Sequence, residues 1–330
     1  MTPRHAMQIK RQTMAAIAML ISACATAAQP RTDYPHHPVR FIIAQTTGGN
    51  ADFVGRLLAD ALAKRLGQPF VVDNRAGASG IIAGEITAKA APDGYTLLLA
   101  TTGFAVNPGL YKSMPYHPLR DFEPITQATV YPNVIIVHPS HPANNLQDLL
   151  AMARREPGKL AFAHDGTGTG SHLTMELLLF KAGVKMQPVA YKGTAPIMAD
   201  VMGQQVPVAI TGIIGAITGY KAGKVKVLGV TALTRSAAAP ELPTVAEQGF
   251  PGFSGEPWSG FFAPKGTPKP IVDKLATDMI AAMRLPDVAK KMADLGTPLV
   301  GSRPEQFREY VAREIEKWAE AVKVSGATAE

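Results

Sequence analysis

The sequence predicts an α/β fold in two lobes, each built on a mainly parallel sheet, and three observations lead there. Short apolar, β-branched runs alternate with glycine turns and helix-period segments. That alternation starts afresh at "VYPNVIIVHPS" (130–140), for which a second sheet is the simplest account. The 330 residues are enough for two cores of ordinary size.

In the first lobe "VRFIIAQ" (39–45) reads as a buried strand and "TTGGN" (46–50) as a turn. Residues 52–66 form an amphipathic helix with Val54, Leu57, Leu58, Ala61, Leu62 and Leu66 inward and Gly67 as its stop. The cycle repeats with strand "FVVDN" (70–74), the turn "RAGASG", helix "IIAGEITAKA", the turn "APDG" and strand "YTLLLAT" (95–101); "TGFAVNPGLY" reads as a loop. The second lobe places helices at 145–156, 171–182, 195–203 and 213–222, and strands at 159–164, 188–191, 207–211 and 225–231. After "PWSGFFAPKGTP" come helices near 269–284, 286–295 and 304–322. A helical tail of that length packs back on an earlier domain. The first lobe is therefore expected to be discontinuous, 30–128 plus 233–330, with 129–232 as the second lobe and two connecting segments as a hinge.

Composition narrows the function. Hydrophobic residues make up 46% and charged residues 18%, which argues against disorder, and no internal stretch approaches the ~20 apolar residues of a membrane span. Arg4, Lys10 and Arg11 precede the apolar run "MAAIAMLIS" and the small-residue stretch "ACATAAQ", the layout of a secretory signal over residues 1–28 and hence of a periplasmic protein. Cys24 is the single cysteine. "ISAC" resembles a lipoprotein cleavage box, but the A-x-A pattern "ATA" (25–27) favours ordinary cleavage. Removing the three basic residues of that segment from the net charge of +7 leaves +4. Such a mild balance, with scattered lysines and arginines, excludes nucleic acid as a natural partner and suits anionic small molecules.

The chemistry is carried by glycine turns. "AHDGTGTGSHLTMELL" (163–178) lacks the lysine of a phosphate-binding loop, and Ser171 stands near where a dinucleotide fingerprint needs its third glycine. Around Ser171 the sequence "TGSHL" is not a nucleophile elbow, which leaves a serine esterase as a distant alternative. What fits is an anion cradle. Ser171 is placed to cap a helix, and the unpaired amides of the first turn, aided by the helix dipole, favour a negative group. "TTGGNAD" (46–52), with Asn50 as cap, and "TTGF" (101–104) repeat the arrangement at the carboxyl ends of other strands, where open α/β sheets bind ligands. Asp52 would satisfy loop amides rather than touch an anion. Tyr191 could line the cleft with its hydroxyl, and Thr194 reads as a cap. The histidines show no ligand spacing with acidic residues, so neither metal nor cofactor is expected.

A run of motifs in fixed order resembles the Bug receptors, periplasmic binding proteins of tripartite tricarboxylate transporters: "GGNADFVGRLLADAL", "LGQPFVVDNRAGASG", "AKAAPDGYTLLLAT", "PGKLAFAHDGTGTGSHL", "YKGTAPIMADVMGQQV" and "LPTVAEQGFPGF". The resemblance implies a type II Venus-flytrap receptor, monomeric and non-catalytic. Its lobes would close on a small mono-, di-, tri- or aromatic carboxylate held by backbone amides, hydroxyls and bridging waters. It also implies delivery to integral-membrane permease subunits, with signalling to a membrane sensor as the other reading. By position, the ligand-facing residues would be Thr46, Thr47, Gly48, Gly49, Asn50 and Asp52 behind them, Thr101, Thr102, Gly168, Thr169, Gly170, Ser171, His172, Tyr191 and Thr211. The chain departs from the family pattern at "ITGI" (210–213), where many relatives carry an acidic or amide pair.

Overall fold

The strands are Val39–Ile43 (β1), Phe70–Asn74 (β2), Thr96–Thr101 (β3), Phe122–Val130 (β4), Asn133–Val137 (β5), Ala161–His164 (β6), Gln187–Ala190 (β7), Val208–Gly212 (β8), Lys226–Val230 (β9) and Trp258–Pro264 (β10). They form two five-stranded sheets in the orders β2-β1-β3-β10-β4 and β7-β6-β8-β5-β9. The computed structural model describes residues 34–325, so the expected signal segment and Cys24 lie outside the described residues.

Both sheets follow one plan. In the first, β1 pairs in parallel with β2 and β3, and the reversed strand β10 stands between β3 and β4. In the second, β6 pairs in parallel with β7 and β8, and the reversed strand β5 stands between β8 and β9. Four of the five strands in each sheet thus run one way. The reversed strand is where each sheet receives chain from the other lobe, because β4 passes through Tyr131 and Pro132 into β5, and β9 passes through residues 231–257 into β10. The two crossings are tied together. Tyr131 N donates to Pro257 O at 2.9 Å, Thr231 N to Asn133 O at 3.0 Å, and Gly255 N to Thr231 O at 2.9 Å.

The helices are Asn50–Leu66 (α1), Ile81–Ala88 (α2), Gly103–Leu110 (α3), Leu146–Arg155 (α4), Gly170–Ala182 (α5), Thr194–Met202 (α6), Ile213–Lys221 (α7), Lys269–Met283 (α8), Pro286–Asp294 (α9) and Pro304–Ser325 (α10). α1 buries Val54, Leu58, Ala61 and Leu62 and ends where Gly67 adopts a left-handed conformation and its N–H returns to Ala63 O. α4 is capped by Asn145, whose side chain accepts from Asp148 N, while Asn144 N donates to the Asp148 carboxylate.

The first-lobe core joins Phe104, Phe122, Trp258, Phe262, Phe307 and Trp318, so the C-terminal helix α10 seals the sheet. Leu173 of α5 belongs to the same cluster, and α10 touches α5 as well as α3. The second lobe has apolar clusters on both faces of its sheet, one around Phe162 and Leu178, the other around Ile197 and Ile217. Val245 and Phe253 pack into the first of these and Ala239 and Leu242 into the second. The apolar residues Ala239, Leu242, Val245 and Phe253 thus find their burial on the second sheet.

One expected loop is a regular element: "GFAVNPGL" is helix α3, whose Phe104, Val106 and Leu110 are buried, while "WSGFFAP", to which the sequence assigns no element, is the fully buried strand β10. Three expected caps are displaced by one or two residues: Gly49 precedes α1 with Asn50 already inside it, Gly193 precedes α6 with Thr194 already inside it, and Thr169 rather than Ser171 caps α5, accepting from His172 N at 3.4 Å.

Candidate functional site

Because the strands of both sheets end toward the junction of the lobes, their following helices begin there. Helices α1, α2 and α3 from the first lobe and α5, α6 and α7 from the second all start at, or one residue after, residues lining one cleft of about 550 Å³: Asn50, Gly80, Thr102, Gly170, Thr194 and Gly212. Each first turn carries amides with no partner inside its own helix, and each macrodipole presents its positive end. The strand-to-helix turns therefore build a concentration of hydrogen-bond donors without cationic side chains. Lys192 is the one basic residue among the described lining residues, and it is exposed.

Of the expected site residues, Thr46, Asn50, Thr101, Thr102, Thr169, Gly170, Ser171 and Tyr191 line this cleft. Thr47, Gly48, Gly49, Asp52, Gly168, His172 and Thr211 do not, and most have a structural use instead. Asp52 accepts from Gly48 N (2.9 Å), Arg56 Nε (2.9 Å) and Asn74 Nδ2 (2.9 Å), so it rigidifies the first turn from behind. Burial raises its pKa, but these donors outweigh that and hold the carboxylate below its ordinary range. Gly49 N donates to Thr46 O at 3.3 Å. His172 Nδ1 accepts from Gly168 N at 3.2 Å, and Thr211 lies fully buried under the wall. Among the described residues no hydrogen bond explains the position of Thr47.

Several lining residues do their work through the backbone. Thr102 Oγ1 accepts from Trp258 N at 2.9 Å, pinning α3 to β10. Tyr191 faces the cleft, yet its hydroxyl donates to Asp200 Oδ2 at 2.6 Å, and that bond pushes its pKa up to about 12. Among the described residues of the wall, the buried side-chain donors with free capacity are those of Asn50 and Asn133, 2% and 1% exposed, whose Nδ2 groups have no protein partner. Both residues line the cleft.

The sequence reading passed over three parts of the wall. The turn Ala76–Gly80 follows the carboxyl end of β2, the position that singled out the other loops. There Ala78 and Ser79 are left-handed (φ 43 and 51), and the Ser79 hydroxyl donates across the cleft to Thr167 O. Tyr131 and Asn133 belong to the crossing between lobes and carry no motif. Asp165 stands inside the quoted glycine stretch, and its significance appears only in three dimensions. Its Oδ1 accepts from Thr194 Oγ1 and Thr211 Oγ1, both at 2.9 Å, and those two hydroxyls are 2.9 Å from each other. Burial raises the pKa of Asp165, and the threonine and Ser171 hydroxyls only partly offset it.

Behind the glycine loop, the rings of His164 and His172 stack with centroids 4.3 Å apart. Their Nδ1 atoms accept from Gly166 N and Gly168 N, both at 3.2 Å, which requires neutral imidazoles. Burial lowers His164 to about 3 and His172 to about 4, and Glu176 Oε1 at 4.0 Å from His172 Nε2 is too distant for a charge-assisted bond. Unfolded histidine titrates near 6.5, so between about pH 6.5 and 4 the unfolded chain binds protons that the folded one does not, and stability falls as pH falls. Asp165 and Glu176, both raised by burial, act in the opposite sense. The check is therefore differential: over that range the Tm of His164→Asn, whose amide oxygen can still accept from Gly166 N, should fall less steeply than that of the parent.

The family described as "Tripartite tricarboxylate transporter family receptor" matches residues 54–326, well over half of the chain. The chain belongs to this receptor family. Protein BugT of Bordetella pertussis is 35% identical over 317 residues, covering 95% of this chain and 97% of its own. A protein encoded in the tcbD-tcbE intergenic region of Pseudomonas sp. (strain P51) is 36% identical, covering 95% and 94%. Among solved structures, the periplasmic binding protein BugD is 37% identical with a TM-score of 0.86, covering 90% of this chain and 100% of its own. R. palustris Rpa4515, solved with adipate, is 34% identical with a TM-score of 0.86, covering 89% and 99%. MatC from Rhodopseudomonas palustris, solved with malate, is 33% identical with a TM-score of 0.81, covering 88% and 100%. The resemblance read from the motifs is thus membership. BugD is a periplasmic binding protein, and the chain shares its two-lobed α/β fold.

Proposed function

We propose that this tripartite tricarboxylate transporter receptor is exported by its N-terminal segment and captures a small dicarboxylate between its lobes. It would present the closed form to integral-membrane permease subunits and break no bond. The observation that carries the reading is the convergence of six helix N-termini, from both lobes, on one cleft. An anion gains there from backbone amides and dipoles, and a ligand held from both sides stabilises closure. Adipate in Rpa4515 and malate in MatC favour diacids among the carboxylates. Eight of the residues expected from sequence would serve the ligand, joined by Ser79, Asn133, Asp165 and Thr194. The crossings at 131–132 and 231–257 would be the hinge.

A thermal-shift panel tests the reading. A bound diacid at ~100 times its Kd stabilises the fold by about 2.7 kcal/mol, which raises Tm measurably. Mono-, di-, tri- and aromatic carboxylates are to be ranked against neutral sugars and cationic amines. The expected result is a shift for carboxylates alone, with diacids leading; a preference for sugars or amines would end the proposal.

A further inference from the structure

A carboxyl group on the wall of an anion site should repel its ligand. Asp165 occupies that position, lining the cleft opposite the donors of α1 and α3. Among the described residues no counter-charge compensates it. Its neighbours on the adjacent strands and helices are Tyr131 at the crossing, the neutral His164 and His172, Ser171 on α5, Thr194 on α6 and Thr211 on β8. Tyr191 is engaged with Asp200, and Lys192 is exposed.

The geometry of the three oxygens supplies the decisive count. Asp165 Oδ1, Thr194 Oγ1 and Thr211 Oγ1 form a triangle with every edge 2.9 Å, which is hydrogen-bond distance on all three sides. If Asp165 were ionised, the two hydroxyl protons would have to serve three contacts, and one pair of oxygens would be pressed together with no proton between them. With a proton on Oδ1, three protons serve three contacts in a closed ring: Oδ1–H to one threonine, that hydroxyl to the other, and the second hydroxyl back to Oδ1. Each oxygen then donates once and accepts once.

We propose that Asp165 is a specificity-determining residue that stands in the cleft as a neutral carboxylic acid, admitting a dicarboxylate against the second-lobe wall, and that its ionisation expels that ligand. This rests on the dicarboxylate reading. Burial acts in the same direction, holding the proton on. Binding a dianion is then linked to retention of one proton. Above the pKa of Asp165 each bound ligand takes up one proton, and affinity falls about tenfold per pH unit.

The test is calorimetric titration of adipate and malate between about pH 6.5 and 9, with the parent and Asp165→Asn, in buffers of differing ionisation heat. The amide of Asp165→Asn copies the shape and neutrality of the acid and cannot ionise. The parent should lose affinity as pH rises and take up one proton per ligand above the turning point, while Asp165→Asn binds with the same affinity throughout. An infrared difference spectrum, parent minus Asp165→Asn without ligand, should carry the carbonyl band of a protonated carboxyl at the low end of the range. A parent affinity that is flat with pH, the absence of that band, or an Asp165→Asn affinity that falls with pH as steeply as the parent's would overturn the proposal and leave the receptor reading intact. If neither protein bound either diacid at any pH while a neutral or cationic compound bound both, the receptor reading and this proposal would fall together.

Discussion

Replacing Gly193 with alanine is expected to weaken ligand binding by roughly ten- to a hundredfold, about 1.4–2.7 kcal/mol. Gly193 precedes α6 with φ +106, a conformation that L side chains rarely adopt, and a Cβ there would stand 2.1 Å from Thr46 Oγ1 of the opposite lobe. The backbone strain, of order 1–3 kcal/mol, burdens every state of the protein and lowers its stability. The collision exists only where the lobes meet, so it burdens the closed form and therefore affinity. The two are separated by adding Thr46→Ala, which removes the offending hydroxyl and leaves the rest of residue 46 at ordinary contact distance. The double substitution should cost less in affinity than the sum of the singles, with the stability loss unchanged. Purely additive affinities would mean that the lobes need not approach at this point.

Phe307→Ala is expected to destabilise the fold by about 3–5 kcal/mol, the cost of emptying a fully buried aromatic site. The ring lies 4.9 Å from that of Phe262 and 5.7 Å from that of Trp258, and Gly260 of β10 packs so closely that a Cβ there would stand 2.2 Å from Phe307 Cζ. The ring thus fastens α10 over the sheet, and α10 in turn supports α3 and reaches α5. Chemical denaturation measures the effect. A loss under ~1 kcal/mol would mean that the surrounding aromatic cluster collapses into the space, or that α10 contributes little to the first lobe.

What the sequence made legible, and what it hid, follows from where each signal resides. The strands β1, β2 and β3 and helices α1, α4 and α5 announce themselves by apolar period and glycine stops, because each buries one face locally. Helix α3 was hidden by Gly103, Asn107, Pro108 and Gly109, poor helix formers that tertiary burial of Phe104, Val106 and Leu110 overrides. β10 was hidden because a reversed strand inserted from far along the chain has no neighbouring element to complete a local cycle; its partners, β3 and β4, lie more than a hundred residues earlier. For the site, the rule that ligands sit at the carboxyl ends of strands found Thr46, Asn50, Thr101, Thr102, Thr169, Gly170 and Ser171 as lining residues. Applied to β2 it would also have found Ser79. It did not separate lining residues from their supports, since Gly48 and Gly168 donate backward, to Asp52 and His172, and a sequence does not say which way an amide points. The ring formed by Asp165, Thr194 and Thr211 was out of reach for the same reason: it gathers three strand-to-helix turns that are adjacent only in space.

The most direct measurement compares adipate with its neutral diamide, nearly identical in length and shape, by calorimetric titration of the full receptor. If, as proposed, helix N-termini and buried amide donors recognise charge at this site, the diacid binds and the diamide is weaker by a hundredfold or more, about 2.7 kcal/mol. Equal affinity for the two would contradict the account, for it would mean that shape and apolar contact, rather than the converging main-chain donors, hold the ligand.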